Sequence, residues 1–301
     1  MRGQFAKTML EVGQIDPSLF VLVGDIGAFG LREFAARCPG RFLNAGIREQ
    51  AMASAAAGLA LTGFTPVIHS ITPFVVERCF EQIKDDFCYQ RLPGNVVSVG
   101  GGLDYSALGC THHSYSDIAL MKSLPGTQVF TPGTQCEFDR LFREVYRSGK
   151  VNYFRLGGRN HSACFSDELI QAGKGIVARP GDDITIVTLG SLLDFAMQAS
   201  SDLGQAEVLY FHTIKPFDAE LVRARVARTR RVLVVEDHSV MGGLADEVRR
   251  ALDGAAHTYS MASLGLGDEF VREYGPFDHV AGLMGISPPQ IVAAARRLLR
   301  S

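Results

Sequence analysis

The stretch Arg41-Phe42-Leu43-Asn44-Ala45-Gly46-Ile47-Arg48-Glu49-Gln50, continuing as AMASAAAGLAL to Leu61, reads as strand, turn and helix in succession. Arg41 to Leu43 is a short strand-like run, and Asn44-Ala45-Gly46 is turn chemistry. Arg48 to Leu61 is an Ala-rich helix with little bulk on any face. A helix this slim packs closely against another backbone. Glu49 falls in its first turn, where the helix dipole favours a carboxylate, so a charge-complementing helix start accounts for it without any chemistry.

The same rhythm repeats along the chain. Strand-like runs at Leu19 to Val23, Thr65 to His69, Asn95 to Val99, Gln128 to Phe130 and Asn152 to Phe154 alternate with helical patterns at Phe74 to Tyr89 and Glu137 to Tyr146. That alternation predicts an α/β fold with a mainly parallel sheet. A second unit starts after Gly173-Lys174-Gly175 and Pro180-Gly181-Asp182-Asp183. There Ile184 to Leu189, Glu207 to Tyr210 and Val232 to Val235 read as buried parallel strands, separated by helices after Gly190 and Phe217. Two α/β domains are expected, with the boundary between about Ser162 and Gly181 and taken as 1–170 and 171–301.

A chain of 301 residues that is 47% hydrophobic with a net charge of -2 is an ordinary globular protein with room for roughly two domains. No basic excess points to nucleic acid, and no apolar stretch approaches a membrane span. Met1-Arg2-Gly3-Gln4-Phe5 lacks the apolar core of a signal peptide. A cytoplasmic protein with neither nucleic-acid nor membrane partner is expected. Cys38, Cys79, Cys88, Cys110, Cys136 and Cys164 show no Cys-x-x-Cys or nearby His spacing that would hold zinc. They read as reduced thiols, mostly buried, and no metal site is expected in this chain. Gly100-Gly101-Gly102 follows a strand but lacks the Gly-x-Gly-x-x-Gly spacing of a dinucleotide-binding turn.

Two further segments carry candidate chemistry. His69-Ser70-Ile71-Thr72-Pro73-Phe74 is a strand end running into a helix, in which Phe74 reads by periodicity as a core residue. In Leu108-Gly109-Cys110-Thr111-His112-His113, adjacent histidines on extended backbone point to opposite sides, so a shared metal is disfavoured and one of the pair is free to face a substrate.

Gly46-Ile47-Arg48-Glu49-Gln50, the Pro73-Phe74 helix ending Phe80-Glu81-Gln82-Ile83, and Gly109-Cys110-Thr111-His112-His113 with Asp117-Ile118-Ala119-Leu120-Met121 behind it resemble, in order and spacing, the pyrimidine-binding domain of transketolases. Ile214-Lys215-Pro216-Phe217-Asp218 and Val235-Glu236-Asp237-His238-Ser239-Val240-Met241-Gly242-Gly243 are similar to the transketolase C-terminal domain. The resemblance covers nearly the whole chain. It implies a pyrimidine-binding thiamine-diphosphate fold followed by a transketolase C-terminal-like α/β domain.

In that family each active site lies between a diphosphate-binding and a pyrimidine-binding domain. Gly24-Asp25-Ile26-Gly27 invites comparison with the Gly-Asp-Gly start of the magnesium motif, but Ile26 breaks it and no acidic and Asn partners follow at suitable spacing. The resemblance therefore implies the C-terminal subunit of a split transketolase. An N-terminal diphosphate-binding subunit would hold magnesium or calcium, in an α2β2 assembly that also self-associates through a dimer. Carried over, Glu49 would bond the aminopyrimidine of thiamine diphosphate and activate it, and Phe74 would stack on that ring. Asp25 would lie near the cofactor, and His112 would pass protons at the reacting carbon. Arg155 would bind a sugar phosphate, although a strand-end surface arginine explains it equally. His69 and His113 would line the pocket or the edge of the core, and His238 is structural.

Two departures bear on substrate. Many transketolases carry Asp-Gly-Pro-Thr-His in this loop, and here Leu108 and Cys110 stand for the Asp and Pro. The lost Asp contacts a substrate hydroxyl in the family, so a specialised sugar substrate is expected. The expected activity is transfer of a two-carbon ketol unit from a ketose or ketose phosphate to an aldehyde. The alternatives are a deoxyxylulose-phosphate-synthase-like or 2-oxo acid dehydrogenase beta-like subunit acting on pyruvate, and a non-catalytic regulatory subunit.

Overall fold

A computed structural model describes residues 1–300 as two sheets flanked by helices. The strands are β1 (Leu19–Val23), β2 (Phe42–Asn44), β3 (Thr65–Ile71), β4 (Gly94–Val99), β5 (Thr127–Phe130), β6 (Val151–Leu156), β7 (Gly175–Arg179), β8 (Ile184–Leu189), β9 (Ala206–Phe211), β10 (Thr213–Lys215), β11 (Arg231–Ser239) and β12 (Ser260–Leu266). The first sheet has the order β10-β5-β6-β4-β3-β1-β2 and the second β12-β11-β8-β9-β7. All pairings are parallel except β10 with β5 and β7 with β9. The two-domain α/β fold with mainly parallel sheets is what the alternating pattern predicts. Strands such as β4, β6, β8 and β9 are buried along their whole length because helices cover both faces, which is why they read as unbroken apolar runs.

Between β6 and β7, residues 157–174 contain neither strand nor helix. The two sheets are nevertheless tied together. β10 leaves the second sheet and adds antiparallel to β5, with Thr213 opposite Phe130. Lys215 Nζ then donates to the carbonyls of Lys122 and Leu124 and to Thr127 Oγ1 at 2.7–3.0 Å.

A further tie is ionic, beside an apolar core shared by both sheets. Arg155, on β6, places Nε 2.9 Å from Asp117 Oδ2 and donates from Nη1 to Asp237 Oδ1 at 2.8 Å and from Nη2 to the Asp237 carbonyl at 3.0 Å. Tyr153 donates its hydroxyl to Asp117 Oδ2 at 2.6 Å. Burial pushes the Asp237 carboxyl up, and the guanidinium opposes that shift. Arg155 is only 6% exposed, so removing it would strand two buried carboxylates. Arg155→Ala is expected to cost about 3–5 kcal/mol in urea unfolding, and a loss below about 1 kcal/mol would show that the network is not holding the domains.

The cysteines correct an expectation. Cys38 and Cys79 are buried and Cys88 is half-buried, but Cys110, Cys136 and Cys164 are exposed, because they sit in surface loops and on the first turn of the Gln135–Val145 helix. Among the described residues no group of three His, Cys, Asp or Glu is arranged to hold a metal, and no helix is long and apolar enough to cross a membrane.

Candidate active site

Glu49 opens the Glu49–Leu61 helix at the carboxyl ends of β1, β2 and β3, with its side chain 1% exposed. A carboxylate withdrawn this far from water needs compensation. The helix dipole and Arg78 both supply it, the Arg78 Nη1 lying 2.7 Å from Glu49 Oε2. The other oxygen is less occupied. Oε1 receives only a long contact of 3.4 Å from Ser70 Oγ, which leaves it able to accept from a ligand.

The backbone around this carboxylate is shaped to it. A Cβ on Gly24 would lie 3.1 Å from Glu49 Cγ and 3.3 Å from Ser70 Oγ, so a side chain there would press on the carboxylate. Asp25 follows with φ of +66°, a left-handed conformation that Asp tolerates better than most residues. Its amide donates to Asn44 Oδ1, and Asn44 Nδ2 returns a bond to Asp25 Oδ1, both at 3.1 Å. The Asn44 side chain thereby ties the Asp25 loop to the turn that leads into Glu49.

Phe74 and Arg78 reach the same place because the Pro73–Glu77 segment is wound as a π-helical turn, with the Arg78 amide bonded to the Pro73 carbonyl at 3.0 Å. Arg78 Cζ lies 4.6 Å from the centre of the Phe74 ring. The His112 ring meets the edge of Phe74 at 5.4 Å and that of Tyr105 at 6.1 Å. His112 is half-buried, with Nδ1 2.9 Å from Thr111 Oγ1. The structure thus brings Glu49, Phe74 and His112 together, with Asp25 linked to the group through Asn44.

His69, His113 and Arg155 stand apart from that group. His113 turns inward, pairing Nδ1 with the Tyr115 hydroxyl at 2.8 Å, and burial lowers its pKa. Arg155 lies within a strand, not at a surface strand end, and its guanidinium is spent on Asp117 and Asp237. His69 is fully enclosed, stacked on Phe5 with centroids 4.3 Å apart. Its Nδ1 faces the Val97 carbonyl at 2.8 Å and must carry the proton, which leaves Nε2 a buried atom without a partner, turned towards Gly27.

Burial lowers the His69 pKa to about 4. At pH 7 the ring is neutral in both folded and unfolded chains. Below about 6.5 only the unfolded chain takes up the proton, so the stability that the neutral ring provides is lost as pH falls from 6.5 through about 4. His69→Asn should flatten the pH dependence of unfolding free energy in that window by about 1.4 kcal/mol per pH unit. An unchanged slope would mean that His69 is charged or solvated in the folded protein.

Arg78 and Ser70 were not recognised as site residues from the sequence. The signal for Arg78 was present: it follows Phe74 by four residues on one helix and so shares its face.

Two sheets of this order, joined in one chain with a buried helix-start carboxylate at the strand ends, define a two-domain α/β protein. Residues 1–161 match the family described as "Transketolase, pyrimidine binding domain", and residues 173–291 match "Transketolase, C-terminal domain". The chain belongs to the transketolase family. It is 31% identical over 304 residues to the 6-deoxy-6-sulfo-D-fructose transketolase subunit SqwH of Clostridium sp. (strain MSTE9), covering 99% of this chain and 94% of that one. It is 31% identical over 277 residues to one of the subunits of the apulose-4-phosphate transketolase of Phocaeicola vulgatus, covering 90% and 88%. A solved split-gene transketolase, described as an inactive beta4 tetramer, superposes with a TM-score of 0.89 at 30% identity, covering 99% of this chain and 98% of that one. Its homologues thus include split transketolase subunits.

Proposed function

We propose that this chain is the pyrimidine-binding subunit of a split transketolase, moving a two-carbon ketol unit from a ketose or ketose phosphate to an aldehyde once a diphosphate-binding partner has docked. The observation that carries the reading is the buried Glu49 carboxylate whose Oε1 holds only a long hydroxyl contact, on the side of Arg78, Phe74 and His112. A single anionic acceptor next to an aromatic face suits a protonated or N–H-bearing aromatic ring, and the closely fitted Gly24 leaves the carboxylate its room. Thiamine diphosphate would be held at its aminopyrimidine by Glu49, Phe74 and Asp25, and when bound it supplies the carbanion chemistry.

Each residue then has one task. Glu49 accepts a proton-bearing nitrogen at Oε1 in surroundings of low dielectric, while Arg78 fixes Oε2. Phe74 excludes water from that contact. His112 has Nδ1 engaged by Thr111, so Nε2 is the atom left to exchange protons with substrate hydroxyls. His69 and His113 are assigned to the wall behind the pocket, and Arg155 to the joint between domains rather than to a substrate phosphate.

The magnesium or calcium ion is assigned to the partner, because the Gly24-Asp25-Ile26-Gly27 run departs from the metal-binding pattern. The subunit names of the relatives, and the description of a beta4 tetramer as inactive, support an α2β2 assembly with self-association of the β chains. The domain division at 170/171 belongs to the same reading, supported by the gap between the two family matches. Unpaired cysteines fit a reducing, cytoplasmic setting.

The test is co-expression with a diphosphate-binding subunit and assay of two-carbon transfer from a ketose phosphate. Glu49→Ala is expected to lower turnover about a thousandfold, and unchanged turnover would contradict the assignment. Carbon dioxide release from pyruvate would move the protein to the synthase or dehydrogenase reading, and cofactor binding without turnover on any donor would make it regulatory.

A further inference from the structure

The loop that carries His112 is held partly by its own backbone and partly by the other domain. The Gly109 carbonyl accepts the amides of both His112, at 2.9 Å, and His113, at 3.2 Å, so the backbone at Gly109 sets where both histidines start. Gly109 has φ of +75° and ψ of -166°, a combination open in practice to glycine alone. Glycine takes up this conformation without strain, so the packing around it decides how firmly it is held.

The surroundings come from the other domain. Residues 267–276 run from the end of β12 to the Phe277–Leu283 helix and lie along the His112 loop. The Tyr274 ring covers Gly109 so closely that a Cβ on that glycine would collide with it. On one side Ser106 Oγ donates to the Gly275 carbonyl at 2.7 Å. On the other, the Val271 amide donates at 3.1 Å to the Tyr115 hydroxyl that also pairs with His113. Phe270 adds an edge contact to Tyr115 with centroids 5.9 Å apart. Tyr274 is 63% exposed, so its ring covers Gly109 from the solvent side.

We propose that Tyr274 is a positioning residue for the proton-transfer histidine: from the C-terminal domain it clamps Gly109 and thereby sets the placement of His112. This rests on the proton-transfer role given above to His112. It assigns the C-terminal domain a part in the active site, through one ring on one glycine, and it makes the joint at Arg155 a requirement for catalytic geometry.

Hydrogen–deuterium exchange of the free chain reads the clamp without cofactor or partner. In Tyr274→Ala the amides of His112 and His113 should exchange about tenfold faster, with β8 unchanged, and Tyr274→Phe, which keeps the ring, should retain native protection. In the assembled enzyme Tyr274→Ala should lower kcat/KM about tenfold with the unfolding midpoint preserved, and Tyr274→Phe should restore it. Native exchange at residues 112 and 113 in Tyr274→Ala would overturn the proposal. Faster exchange with undiminished transfer would overturn the positioning role as well, whereas undiminished transfer in His112→Ala would instead remove the role given to His112.

Discussion

Arg155 holds the molecule's two halves in register. It lies on β6 of the first sheet, and its guanidinium spans Asp117 of the same domain and Asp237 on β11 of the other. Three charged groups this deeply buried are stable only together, since removing any one leaves its neighbours without compensation. Because β11 is fixed by this pairing, so is its neighbour β12, and with it the segment after β12 that touches the His112 loop. A resemblance-based reading gives Arg155 to a substrate phosphate. The same planar fork that suits phosphate is here used on carboxylate and carbonyl oxygens.

The second constraint is the buried charge of Glu49. Its compensation is divided unevenly, with Arg78 close on Oε2 and only a distant hydroxyl on Oε1. A carboxylate pinned on one oxygen and open on the other is oriented without being saturated, which suits an acceptor that must take a further hydrogen bond from a ring. Arg78 also covers Phe74, and at 38% exposure it has solvent into which to move. Around Glu49 the helix face is Ala-rich, with Ala51, Ser54, Ala55 and Gly58 exposed, alongside Ile47 and Leu61. A face so slim and apolar is consistent with an active site completed by another polypeptide.

Much of the fold was legible because its strands are covered on both faces. Such strands must be apolar throughout, and Ile184–Leu189 was readable to the residue. What escaped was whatever lacked that signature. β10 is three residues long and pairs outside its own domain, and β12 is built from Ser, Met, Ala, Leu and Gly and is only half-buried for most of its length. The Arg2–Ile15 helix has no side-chain cap to mark its start. At the candidate site, Glu49, Phe74 and His112 stand out in the sequence through resemblance to a family's motifs, whereas Arg78, which only helical spacing could point to, escaped. The pairing of Arg155 with Asp237, 82 residues away, has no local signal, and neither does the contact of Tyr274 with Gly109. Both are products of how the two sheets meet.

Glu49 is proposed as this chain's activating carboxylate in a shared thiamine-diphosphate site. That role is tested most directly by exchange of the cofactor's C2 proton in deuterium oxide, measured by quenched-flow NMR on the enzyme assembled with its diphosphate-binding subunit. Exchange should be about a thousandfold faster with Glu49 than with Glu49→Gln, which keeps the shape and removes the charge. Equal rates, with cofactor bound to both, would contradict the account.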